Sequence, residues 1–191
     1  MGIRARLVAR SAGYVLGGLA IVTPDMLRWP TPCQDWDLRA LLAHVDDSIN
    51  VLREAMTRGA VGPEPQPGDW SLPTAQSNAL TLLAFAGAVD ESRTVSIGGL
   101  PVSIATVCET GALELAVHGW DIATSIGGRA RPLPEALARD LLDISTGLIG
   151  DVDRPARFAA PVAVRDDADP AHRLLAFAGR TASWAPAQDA R

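Results

Sequence analysis

The chain has 191 residues, 48% hydrophobic and 20% charged, with 17 arginines, 22 acidic residues and no lysine. This is enough for one domain with a genuine core, too little for two full-sized ones, and globular rather than disordered in composition. A net charge of −5 without any cluster of cations excludes a nucleic-acid partner, because the phosphate backbone rewards clustered positive charge.

Residues 4–22 read as an apolar helix weakened by Gly13, Gly17 and Gly18. Arg4, Arg6 and Arg10 ahead of this run give the outline of a secretion signal. Thr23-Pro24-Asp25 follows without a small-x-small cleavage site, however, and the run is too short to span a bilayer. No membrane partner is expected, and the protein is placed in the cytoplasm. Pro24, Pro30 and Pro32 break the helix, and a connector from Thr31 to Asp37 follows, with Asp35 or Asp37 able to cap the next helix.

In that second helix, residues 38–57, Leu38, Leu41, Leu42, Val45, Ile49, Leu52 and Met56 recur at helical spacing and define a core stripe. Residues 59–73 hold four prolines and read as a loop. A third helix over 74–92 places Leu80, Leu83 and Phe85 inside. Gly98-Gly99 makes a turn, and Pro101 opens a fourth helix that stops at Gly127-Gly128. A shorter helix spans 134–148. The remainder holds a short helix over 171–179 and one weak strand-like run, Val162-Ala163-Val164. The expected fold is therefore all-α: an antiparallel four-helix bundle in residues 1–150, with a C-terminal extension, 151–191, packed on it.

The fourth helix carries the chemistry. On an apolar background, Glu114 and His118 lie about 40° apart around the axis, and Asp121 falls on the same side. Buried polar groups need partners, and one metal ion would satisfy a carboxylate and an imidazole together. An ion pair is the plainer alternative. His44, on the flank of the second helix's stripe, is the natural third ligand, though such a histidine can equally be a hydrogen-bonded packing residue. Two histidines and a glutamate would leave coordination positions open, as catalytic sites do; the donor set suits zinc, and iron, nickel or cobalt would also fit. Asp121 could then accept the other imidazole N–H of His118.

The connector and second helix, Thr31-Pro32-Cys33-Gln34-Asp35-Trp36-Asp37 through Leu41, Leu42, His44 and Val45, resemble the pattern TPCxxWDxxxLLxHV. Glu114, His118, Gly119, Trp120, Asp121 and Ala123 resemble the pattern ExxxHGWDxA. Both belong to the actinobacterial mycothiol-dependent maleylpyruvate isomerase-like group, a branch of the DinB-like four-helix bundle proteins, and the resemblance extends through the tail. It implies that His44, Glu114 and His118 bind a divalent metal, usually zinc. It also implies that this metal activates the thiol of mycothiol for attack on a small electrophile, and that a homodimer forms. The isomerase has a separate C-terminal domain that contributes to its active site. The tail here is too short to be one, so a thiol transfer or another reaction is expected over maleylpyruvate isomerisation.

Other residues have plainer roles. Trp36 and Trp120 read as core or pocket wall. Cys33 and Cys108 read as buried free thiols before ligands or nucleophiles. Arg165 and Arg180 could bind an acidic cofactor from the tail. Two further functions stay open: a thiol-independent Lewis-acid enzyme of specialised metabolism, and a non-catalytic metal-binding or stress-response module.

Overall fold

In a computed structural model, residues 1–33, 35–62, 70–127, 131–154 and 157–185 are described. Gln34, the centre of the proline-rich loop and Gly128 lie outside the described residues. The helices are α1 (Ile3–Leu19), α2 (Leu38–Arg58), α3 (Leu72–Ala86), α4 (Ile104–Ser125), α5 (Glu135–Leu148) and α6 (Pro170–Phe177). The strands are β1 (Ala60–Val61), β2 (Thr94–Ile97) and β3 (Leu100–Ser103). The fold is mostly helical with a small three-stranded sheet in the order β1-β2-β3. No helix among the described residues is long and apolar enough to cross a membrane.

Local chemistry sets the helix ends. Asp37, not Asp35, caps α2, its side chain accepting from the Ala40 N–H at 2.8 Å. Gly59, with φ 73°, closes the helix in the left-handed conformation. Ser71 caps α3 and Ser103 caps α4 in the same side-chain manner as Asp37.

α1 and α2 each pack against both α3 and α4, α5 packs on α4, and α6 packs on α5. α4 sits at the centre and is buried around most of its circumference, as an apolar helix must be. Its neighbours come close where it lacks side chains: a Cβ on Gly119 would lie 2.8 Å from the Tyr14 ring.

Several expectations need correction. The all-α reading missed the sheet. Gly98 and Gly99 have φ of 57° and 87° and form the two-residue loop of a β2–β3 hairpin, in which Ile97 pairs with Leu100. Pro101 therefore lies in an edge strand, where its missing N–H is tolerated, and α4 begins after it. The Val162 run, in contrast, forms no strand.

The third helix also faces another way, and it ends before residue 92. Its buried line is Ala75, Ala79, Leu82 and Ala86, while Leu80 and Phe85 are 56% and 44% exposed and Leu83 is half-buried. Small residues let α3 approach α1 and α2 closely. Polar ties flank that face: the Gln76 amide donates to Leu19 O at 3.0 Å, and the Asn78 amide to Asp46 Oδ1 at 2.8 Å.

Candidate metal centre

Two helices build the site. α2 supplies His44 from the edge of its buried stripe, and α4 supplies Glu114 and His118 from consecutive turns. His44 Nε2 lies 2.7 Å from Glu114 Oε1, and His118 Nε2 lies 3.5 Å from the same oxygen. One ligand atom from each of the three lies within 4.8 Å of the others. The His44 and Glu114 side chains are 37% and 26% exposed, and His118 is nearly buried, so the centre is open on the His44 side and closed behind.

Behind His118, its Nδ1 lies 3.0 Å from Asp121 Oδ2, the contact expected of that carboxylate. The other partner of Asp121 comes from the tail. Arg180 donates from Nη2 at 2.9 Å and from Nε at 3.2 and 3.3 Å to the two carboxylate oxygens. Asp121 is fully buried and Arg180 nearly so. Arg165 is exposed, and its guanidinium is engaged by Asp167 at 2.8 Å.

The connector closes one flank. The Thr31 hydroxyl accepts from the Cys33 N–H at 3.1 Å and lies 2.9 Å from Trp36 O, and Asp35 adopts a φ of 66°. This tight turn brings the Trp36 ring to 4.8 Å from that of His44 and 6.1 Å from that of His118. It also brings Cys33 within 4.8 Å of ligand atoms of His118 and Asp121. Cys108 is buried elsewhere on α4, close to Glu91 and Glu109. Both cysteines are free.

Electrostatics fit a cation. Burial opposes the charge on Glu114, yet the hydrogen bonds and charges of His118 and His44 hold its carboxyl well below the usual range. Burial also opposes a charged His118, but its hydrogen bonds to Asp121 and Glu114 push the imidazole up to about 9. Burial opposes the Asp121 charge too, and His118 and Arg180 hold its pKa low. Without an ion, a proton on His118 thus does the work of a positive charge between two carboxylates. Two imidazole nitrogens and a carboxylate oxygen at this spacing are a donor set that suits zinc or a neighbouring transition metal.

Sequence reasoning named the three converging residues and Asp121. It did not foresee that Arg180 reaches Asp121 across 59 positions; the one available signal was a buried carboxylate on an apolar helix needing more than one partner.

Comparison with known proteins places the chain among relatives of similar sequence and fold. Two uncharacterized proteins from Mycobacterium tuberculosis, strains CDC 1551 and H37Rv, are each 29% identical over 170 residues, spanning 85% of this chain and 90% of theirs. The crystal structure of the mycothiol-dependent maleylpyruvate isomerase is similar in fold, with a TM-score of 0.62 at 17% identity. That similarity covers 98% of this chain and 92% of the other. A family described as the mycothiol maleylpyruvate isomerase N-terminal domain matches residues 8–123, a span that includes His44, Glu114 and His118. The chain belongs to the mycothiol maleylpyruvate isomerase N-terminal domain family.

Proposed function

We propose that His44, Glu114 and His118 hold one divalent cation, zinc by preference, and that the protein uses it to activate mycothiol for transfer to, or isomerisation of, a small electrophile. The observation that carries this reading is the convergence of two imidazole Nε2 atoms on one Glu114 oxygen from two separate helices, with the His44 side open. We take the packing of α1 and α2 on α3 and α4 as a DinB-like antiparallel bundle within residues 1–150, with the described part of the C-terminal extension, 151–191, docked through α6 on α5.

A bound divalent cation would supply Lewis acidity, lowering the pKa of a thiol beside it so that it attacks as a thiolate. The protein's residues provide the setting. Glu114 is ionised and ready to coordinate. With Nδ1–H donated to Asp121, His118 Nε2 faces Glu114 and, once it gives up its proton, would be the atom offered to an ion. Trp36 walls one flank, and the exposed edge of His44 marks the side from which a reactant approaches. Mycothiol, held beside His44, would supply the nucleophile toward a small electrophile.

The test uses purified, metal-loaded protein with mycothiol and either maleylpyruvate or a generic electrophile, followed by loss of substrate absorbance and of free thiol. Turnover above the His44→Ala background is expected. Stoichiometric metal without thiol chemistry would leave the thiol-independent Lewis-acid reading standing. Protein that takes up no metal would end both.

A further inference from the structure

We propose that Arg180 is a positioning residue of the metal centre: through Asp121 it fixes the His118 imidazole, so that docking of the C-terminal tail sets metal affinity. The inference rests on the reading of His44, Glu114 and His118 as ligands.

Asp121 lies on the innermost face of α4, where a carboxylate has no water to solvate it. It is kept there by two partners only among the side chains described: the His118 ring at 3.0 Å and the Arg180 fork at 2.9–3.3 Å. A forked guanidinium held by several bonds fixes the plane of the carboxylate as well as its charge. That plane decides where Oδ2 sits, and Oδ2 decides how the His118 ring is turned. With Nδ1–H held by Asp121, Nε2 points toward Glu114 and the position of the ion.

Arg180 is itself held by the tail. Its N–H bonds Leu175 O at 2.8 Å at the end of α6, and its Nη1 donates to Ala178 O at 3.2 Å. Gly179 precedes it with a φ of +78°, and a Cβ there would lie 2.7 Å from Ala159 O. The Val162 N–H bonds Ala176 O at 2.9 Å, and Arg154 Nη2 donates to Phe177 O at 2.7 Å. Residue 154 and residues 157–180 are therefore tied to one another, and among the described residues Arg180 is the charged group of this stretch that reaches Asp121. A simple staple between tail and bundle would need only a contact at the surface. This contact is instead buried directly behind a ligand.

The experiment measures zinc and cobalt affinity by competition with a chromophoric chelator, with the cobalt visible spectrum and the His118 ring N–H resonance as companions. Arg180→Met is expected to fold and to weaken metal binding about 10–100-fold, with a changed cobalt spectrum. Asp121→Asn should do the same, and the double variant should be little worse than either single one. Gly179→Ala, which touches no group of the centre, should shift affinity in the same direction by displacing Arg180. If Arg180→Met does not fold, Arg180→Lys reads the same quantity and should fall between parent and Met. Any folded Arg180 variant that binds cobalt within twofold of the parent, with an unaltered spectrum, overturns the proposal, even if its melting temperature drops. A parent protein that binds no metal would instead refute the ligand assignment on which this rests.

Discussion

The Trp36 indole lies nearly parallel to the His118 imidazole, with centroids 6.1 Å apart and planes 26° apart, and it also meets the His44 ring at 4.8 Å. One side chain thus packs against both imidazoles of the candidate centre. Replacing Trp36 with Ala should cost about 2 kcal/mol, less than for a fully buried aromatic because Trp36 is half-buried, and should broaden the orientations open to His44. Trp36→Phe should recover most of both. Thermal melts with and without metal, beside a metal titration, check the pair.

The metal-free protein should have a distinctive pH profile. His118 is raised from 6.5 to about 9, so its contribution to stability is complete below about pH 6.5 and is lost as pH climbs through 9. Glu114 and Asp121 are depressed, so their contribution is present above their unfolded values near pH 4 and is lost on acidification. Stability of chelator-treated protein should therefore peak between about pH 5 and 6.5. Binding a cation requires His118 to release its proton, so affinity should rise with pH up to about 9, with protons released near neutrality. Melting temperatures from pH 5 to 9.5 in chelator, and proton release on zinc addition, test both; a His118→Asn protein with the same alkaline slope as the parent would contradict the first.

Removing the ion should be felt globally. At a free metal concentration 100 times the dissociation constant, binding to the native state adds about 2.7 kcal/mol, and chelator should withdraw it. His44→Ala, Glu114→Gln and His118→Ala should each show no metal-dependent shift in calorimetry.

α3 offers a test of packing. Leu80→Gln, on its exposed face, should change stability by no more than about 0.5 kcal/mol. Leu82→Ala, on the buried face, should cost about 2–5 kcal/mol. Denaturant melts separate the two, and equal losses would mean that the helix is turned otherwise.

Gly119 borders His118 and faces α1. A Cβ there would meet Tyr14 at 2.8 Å, and that ring is anchored by its hydroxyl, which donates to Arg131 O at 2.9 Å. Gly119→Ala should therefore destabilise by about 1–3 kcal/mol, read by the same melts.

The convergence of the three candidate residues was legible because their signals are local: Glu114 and His118 share a helix face, and His44 flanks a clean apolar stripe. The Asp37 cap was local in the same way, standing beside the start of the apolar stripe. The orientation of α3 was not, because that helix carries apolar residues around its circumference and only its partners decide that small Ala75, Ala79 and Ala86 go inward. The hairpin was hidden by Pro101, which reads as a helix opener and is accommodated only because β3 is an edge strand. The Arg180–Asp121 pair joins distant segments, and no spacing rule reaches that far.

The small sheet has a role in register. β1 leaves α2 after the single residue Gly59, and β3 runs directly into α4, so the two helices that carry the candidate ligands are rooted in one hydrogen-bonded sheet. Inserting one residue between Arg58 and Ala60, or between Ser103 and Ile104, would ask one helix to swivel by about 100° against the other. Three distant, modest strands thereby act as the protractor by which His44 and Glu114 come to face one another.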